Sequence, residues 1–436
     1  MRGREIMPFQ LAVPTHVETF RQSLRLLRAP RFGTYFAATL LSNIGTWSQQ
    51  IAEPWLLLSL GASSFVIGLD SFVQSAPAFL LIVAGGMLAD NADRRWVVAK
   101  FQAIQMMCPV ALVVLMLTQF VEPWMVIVLS LIVGVTDALS MPSFQTIAPP
   151  LVKQDQIGSA IALNATQFNL SRIAGPALGG LLIASVGAIS CFVANAVSYL
   201  PFIAVAIWVL PAGSANLGPD RSLDRHQLLL GLRRIIASDY MRGALTTVLI
   251  TSTLCGPLIV FCPVLVKEIL HGDSTQFSLA IGAFGLGGLL GAVVMLGIEP
   301  GRDKRQLSIA FAAAYGAMTA IAAANPWTSV LPLLLVVAGF CMSISNTAAN
   351  ALLNAAAPVR LRGRTISLYM LAMRGGLSFG SLLTGICVDY VGVRYALLVN
   401  GVTALAVQLI FGRRWLRANS QAALHPSMRS PAPRRS

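Results

Sequence analysis

The chain has 436 residues, of which 56% are hydrophobic and only 11% charged, whereas a soluble domain carries about 25% charged residues. This balance excludes an ordinary water-soluble domain and points to apolar blocks long enough to cross a bilayer. The formal net charge of +14 is not a nucleic-acid footprint, because the basic residues are confined to short loops and the two tails.

Residues 1–31 form a basic tail. Within it Phe20, Leu24 and Leu27 share one helical face against Arg21, Arg25 and Arg28, as in a helix lying on an anionic leaflet; a solvated tail is the alternative. No secretory signal is visible, since arginines run throughout and an apolar signal core is missing. Met7 is a second candidate start.

Twelve apolar segments follow, at about 33–59, 65–89, 96–119, 123–147, 157–186, 188–210, 242–266, 276–298, 306–324, 327–356, 364–388 and 392–412. Residues 211–241 are the one long polar interruption and read as a cytoplasmic linker. The expected fold is an all-α membrane protein of twelve transmembrane helices in two pseudo-symmetric six-helix bundles, 32–210 and 242–412. A basic tail, 413–436, closes the chain. Of the 31 Lys and Arg, Lys267 and Arg394 fall in the far-side loops and Arg172 and Arg374 within spans. The rest flank the tails, the linker and the loops between segments 2–3, 4–5, 8–9 and 10–11. Positive charge marks the cytoplasmic side, so both termini are expected there, in an inner (plasma) membrane. A shift of 205 residues superposes Gly134 on Gly339, Gly158 on Gly363, Gly175 on Gly380 and Gly180 on Gly385, as parallel six-helix repeats would.

Cysteines at 108, 191, 255, 262, 341 and 387 all lie in apolar runs without a C-x-x-C spacing. They read as packing residues, neither disulfides nor metal ligands.

Ionisable groups at membrane depth are costly and usually serve transport. This chain has Glu53, Asp70, Asp137, Arg172 and Arg374. Gln49 and Glu53 are four apart on one helical face, Thr46 and Gln50 share the adjoining face, and Asp70 and Gln74 are again four apart. Such a polar side must face a bundle interior or a wet cavity. Glu53, with Asp70 as second choice, is the expected proton carrier; solvation near the outer interface is the alternative for both. Segment five carries Asn164, Phe168 and Arg172 at spacing four, and Arg172 either balances Asp137 or Glu53 or attracts an anionic substrate. Segment ten carries Asn346, Asn350 and Asn354, a polar cavity wall or a helix-to-helix amide seam. Trp47, Trp55 and Phe72 read as interface anchors, with stacking on an aromatic substrate as the alternative.

Two motifs carry a family resemblance. Gly85-Gly86-Met87-Leu88-Ala89-Asp90-Asn91-Ala92-Asp93-Arg94-Arg95 resembles the signature loop of the major facilitator superfamily, G-x-L-A-D-x-x-x-R-[RK]. The resemblance implies a cytoplasmic latch between helices two and three, built by Gly86, Asp90, Arg94 and Arg95. Gly175-Pro176-Ala177-Leu178-Gly179-Gly180 resembles the antiporter signature of superfamily exporters. Its glycines allow close helix contact and Pro176 bends the helix, which suits a pivot or a dry seal between the bundles; a plain packing seam is the alternative. The first bundle is similar to the bacterial branch that includes the enterobactin exporter and multidrug efflux proteins, through Arg31-Phe32, Ser42 to Trp47 and Pro54 to Leu58. The end of helix four departs from that branch. Ser140-Met141-Pro142-Ser143-Phe144-Gln145 lacks the acid and the arginine of Asp-x-Pro-Ala-Arg-Gln, so no role carries over to those two positions.

The resemblance implies the major facilitator fold, alternating access and proton antiport, with export of a siderophore-like or amphipathic drug-like molecule by a monomer. An importer on the same fold is the alternative. No G-x-x-x-x-G-K-[ST] loop is present, so ATP is not expected as the driver, and no cofactor is called for. The four histidines lie in loops or tails, which argues against an enzyme. A sensor would not need both motifs.

Overall fold

The structure, a computed structural model, describes residues 25–145, 147, 149–153, 156–210, 238–298, 303–357 and 362–424. Nearly all of the expected linker and most of both tails lie outside these residues, as do the side chains of Gly86 and Asp90. The described residues are helical throughout, without strands.

In chain order the helices are α1 (Pro30–Ser59), α2 (Ser64–Asn91), α3 (Arg94–Leu117), α4 (Pro123–Gln145), α5 (Ile157–Ser185) and α6 (Ile189–Trp208). After the linker come a broken helical run over 239–269 (α7), α8 (Ser274–Leu296), α9 (Arg305–Ala324), α10 (Leu331–Ala356), a second broken run over 362–391 (α11), and α12 (Val393–Leu424). Short polar caps start several of them. The Ser63 hydroxyl accepts from Val66 N at 3.4 Å, and the Asp93 carboxylate from Arg95 N at 3.0 Å. Asp273 and Gln276 form a reciprocal capping box at 2.9 and 3.1 Å.

Ten helices are long and apolar enough to cross a membrane by length and composition; α1 and α5 are not among them. Both carry a row of amides and charged groups, from Asn43 to Glu53 and from Asn164 to Arg172, which lowers their mean hydropathy and, as shown below, lines an internal cavity. The apolar segments at 242–266 and 364–388 were expected to be continuous helices. Instead each contains a five-residue π-helical turn, Thr251–Cys255 in α7 and Leu371–Gly375 in α11, and α7 is broken again around Pro257 and Pro263. The final helix continues to Leu424, into what reads as tail. At the other end, Phe20 and Leu24 lie outside the described residues, and it is Leu26 that is buried, with Phe32, Tyr35 and Phe202.

Among the N-terminal helices, α1 packs on α5 and α6, α2 on α4, and α3 on α4 and α6; among the C-terminal ones, α8 packs on α10 and α9 on α10 and α12. Two seams join the sets, α5 with α8 and α2 with α11. The glycine repeat is visible in this packing. A Cβ at Gly134 on α4 would meet Gln74 O of α2, and one at Gly339 on α10 would meet Phe284 O of α8. Gly175 on α5 is pressed against Trp47 of α1, and Gly380 on α11 against Thr253 of α7. A Cβ added at Gly180 would lie 2.7 Å from Ser278 O of α8, and one at Gly385 2.6 Å from Ser64 O of α2. The equivalent residue thus makes the equivalent contact in both sets; Gly158 and Gly363 lie outside the described side chains.

The two ends of the molecule differ. At the end bearing the α1–α2 turn, one core runs through both sets, including Leu57, Ile67, Phe192, Phe261, Phe277 and Leu397. At the end bearing the α2–α3 turn the cores are separate. One is built from α1, α3, α5 and α6, and the other from the C-terminal helices with Phe168 of α5 packed against it. Large apolar side chains such as Leu80, Leu181, Val293, Leu333 and Val399 are exposed on the outside, an arrangement suited to lipid contact. Cys387 is among the exposed residues, while the other five cysteines are buried and all six are free.

Candidate functional site

Because the two sets meet at one end and part towards the other, a cavity of about 470 Å³ lies between them. Its wall brings together Gln49, Glu53, Asp70, Gln74, Asp137, Asn164, Arg172, Asn346, Asn350 and Arg374, every sequence candidate for transport. Phe168 and Trp47 line it too, in edge-to-face contact at 6.1 Å.

Glu53 is held by a chain of amides. It is buried, at 4% exposure, which rules out simple solvation of this residue in the present conformation; Asp70, also 4% exposed, is equally enclosed. Gln49, one turn back on α1, donates through Nε2 to Glu53 Oε1 at 2.7 Å, and Gln74 of α2 donates to Glu53 Oε2 at 3.3 Å. Asn195 of α6 donates to Gln49 Oε1 at 2.6 Å, and Gln50 donates to Gln74 Oε1 at 2.8 Å. Every donor in these two branches points towards the carboxyl, so both of its oxygens accept. The amides on both branches can turn over and so follow a change in what the carboxyl offers them. Spacing four along α1 and α2 explains how Gln49 and Gln74 come to share Glu53, since the two helices face each other here. Asn195 was not singled out in the sequence, although a lone amide within an apolar span was the available signal. The same holds for the buried pair Gln102 and Gln105, joined at 3.0 Å on α3. Asp70 Oδ1 has no hydrogen-bond partner.

The second polar cluster joins the two sets. Arg374 Nη1 meets Asp137 Oδ2 at 2.7 Å, with the side chains 35% and 39% exposed, and its guanidinium lies 5.8 Å from the Phe168 ring centre. Asp137 is therefore balanced by Arg374, not by Arg172. The π-helical turn at Leu371–Gly375 carries Arg374 and displaces it from ordinary helical register, which no spacing rule anticipates. Arg172 Nη1 contacts the Met373 sulfur, and its buried Nε has no partner. On α10, Asn354 Nδ2 donates to Asn350 Oδ1 at 2.9 Å, so the amide row partly satisfies itself. Asn346 Oδ1 is buried without a partner.

The aromatic residues are corrected by the structure. Trp47 lines the cavity. Trp55 stacks on Phe277 of α8 at 4.8 Å and 13°, and Phe72 meets Phe379 of α11 at 5.1 Å. Each lies where helices of the two sets press together or enclose the cavity. The helix-five glycines divide their work. Gly175 and Gly179 lie against α1, where a Cβ added at Gly179 would come within 3.1 Å of Ser48 O, while Gly180 meets α8 of the other set. Pro176 lines the cavity.

In the signature loop, Asp93 caps α3 and lies 3.9 Å from Arg95 Nη2, and Arg95 also covers the Trp96 ring at 5.4 Å. The corresponding charged turn before α9 is closed by Arg305 Nε, which donates to Asp303 at 2.8 and 3.0 Å. These bonds hold the Asp303 carboxyl below its ordinary range.

The seam between α2 and α11 contains a contact that sequence reading missed. Asp389, near the end of α11, accepts from Ser64 N at 3.0 Å and Phe65 N at 3.1 Å, capping the start of α2 from the other set.

Comparison with known proteins agrees with this architecture. The chain is 23% identical to the staphyloferrin A transporter of Staphylococcus aureus, over 86% of this chain and 94% of that one. It is 27% identical to the multidrug efflux pump Tap of Mycolicibacterium fortuitum, over 88% and 95%. Among solved structures it matches a D-xylose–proton symporter with a TM-score of 0.66 at 14% identity, covering 88% of this chain and 97% of that one. Residues 22–436 match the family described as transmembrane secretion effectors, and the chain belongs to that family of the major facilitator superfamily.

Proposed function

We propose that this protein is a secondary active exporter working by alternating access. In this reading twelve helices span an inner membrane in two six-helix bundles, 32–210 and 242–412, with both termini and the linker cytoplasmic. The α1–α2 end is then the outer side, and the described conformation is closed there and open inwards. The substrate is a siderophore-like or amphipathic drug-like small molecule, a reading supported by the siderophore transporter and drug efflux pump among its relatives. A polar and aromatic cavity of this size suits such a molecule.

Glu53 carries the coupling proton, with Asp70 as the second carboxyl. The single observation supporting this is the buried Glu53 carboxyl, whose two oxygens each end a chain of reorientable amides in the cavity wall. Substrate-driven rearrangement of the wall would break one branch and favour proton uptake; closure would restore it. One charge moving through 100 mV supplies about 2.3 kcal/mol, enough for an export gradient of roughly fifty-fold at about 1.4 kcal/mol per decade.

The test is proton movement in inside-out vesicles, followed with a fluorescent pH probe while catecholate siderophores and lipophilic drugs are added singly. Compound-dependent loss of the acid interior, absent in Glu53→Gln, is the expected result. Full coupling in Glu53→Gln would reject Glu53 as carrier and move the test to Asp70→Asn.

A further inference from the structure

We infer that Arg172 is the docking point for an anionic group on the substrate, so that the cavity selects organic anions with an aromatic or apolar body. The inference deepens the transport reading and rests on it only for its physiological meaning.

The argument begins with charge. Arg172 and Arg374 are the two cations in the cavity wall. They approach the same region: Arg172 reaches Met373, the residue before Arg374, and Arg374 lies over Phe168, one turn before Arg172 on α5. A single carboxylate, Asp137, serves this pair of guanidiniums, and it is taken by Arg374. The other two carboxyls of the wall are elsewhere engaged or enclosed. Glu53 is bonded to amides of α1 and α2, and Asp70 on α2 is buried. Arg172 is left with a thioether contact and an orphan Nε.

A guanidinium is always charged and presents a planar fork of donors. Half-buried in the cavity wall, beside a second cation and without a carboxylate of its own, it is stabilised most by an incoming anion. Carboxylate, sulfonate and phosphonate groups all fit that fork. The rings next to it define the rest of the ligand. Trp47 and Phe168 meet edge to face on the same wall, leaving ring surface for a flat apolar body. Nothing in the sequence spacing distinguishes Arg172 from Arg374; only the allocation of Asp137 does.

The test is direct binding to the full-length protein in phosphatidylcholine nanodiscs, which contain no anionic lipid to compete. The probes are 2-naphthoate, naphthalene-2-sulfonate, naphthalene-2-phosphonate and the neutral isostere 2-naphthamide, read by tryptophan fluorescence and by calorimetry. At least one anion is expected to bind about tenfold or more tightly than the amide. Arg172→Gln should erase that preference, and Arg172→Lys should retain part of it because the charge remains. Thermal melting in the same discs confirms that each variant is folded. The inference is overturned if none of the three anions is preferred over the amide, or if the preference survives in folded Arg172→Gln. An anion preference carried by Arg172 in a protein that moves no proton in vesicles would sink the proton-coupled reading and leave this one standing. Proton-coupled transport without any anion preference would do the reverse.

Discussion

At the scale of single residues, two carboxyls that look alike in sequence have different surroundings. Glu53 is bonded through both oxygens, whereas Asp137 holds a cross-set ion pair about a third exposed to the cavity. Water in the cavity screens that pair, so its worth is nearer an exposed bridge than a buried one. Asp137→Asn should therefore lower stability by only about 1 kcal/mol. Arg374→Gln should act similarly, and the double variant should cost less than the two added together. Melting curves of the purified variants measure this; full additivity would mean that the pair does not couple. All five ionisable groups read from the sequence line the cavity, in keeping with their cost in lipid. The sequence did not pair them. The partner of Asp137 is 237 residues away, and its reach depends on a π-helical turn.

At the scale of elements, glycines set how closely helices approach. Gly134 brings α4 to within 2.6 Å, measured from an added Cβ, of Gln74 O on α2. Gly134→Leu should force the helices apart at a cost of about 1–3 kcal/mol, read as a fall in folded yield and melting temperature. The equivalent change at Gly339 should do the same between α10 and α8. A different device holds α2 to α11. The Asp389 carboxylate satisfies two amides at the start of α2, a cap worth about 1 kcal/mol. Asp389→Asn should loosen the seam and raise the rate at which a cysteine at Ser378, on the cavity wall, reacts with a reagent added from the α1–α2 side. An unchanged rate would show that the apolar seam alone keeps that end shut. The existence of the helices was legible in the apolar segments, though the last one runs on to Leu424. The breaks in α7 and α11 were not legible, since a π-helical turn adds one residue without changing hydropathy.

At the scale of the molecule, one shared core at the α1–α2 end and cores separate for the two sets at the other describe a wedge. Alternating access requires the shared core to part. A disulfide between cysteines placed at Trp55 and Phe277, whose rings are 4.8 Å apart, should lock that end and stop transport in vesicles, with recovery on reduction. Transport undiminished by a complete crosslink would contradict the rocking mechanism. Orientation is checked separately in whole cells. A cysteine at Ser63 should react with an impermeant reagent, and one at Gln306, beside Arg305, should not; the opposite result would invert the proposed topology.

The sequence by itself determined that the chain is helical, repeated and made for lipid, because hydropathy over twenty-odd residues and the placement of Lys and Arg are local and additive properties. It also determined which polar residues must turn inward. Only the tertiary structure decided what they do there. Asn195 completes the Glu53 network from an otherwise apolar helix, Trp55 and Phe72 pack in the seams between the two sets, and Asp137 goes to Arg374, leaving Arg172 free of a carboxylate. Each of these depends on which distant helices meet and at what rotation, and that is settled by packing between elements that no local pattern records.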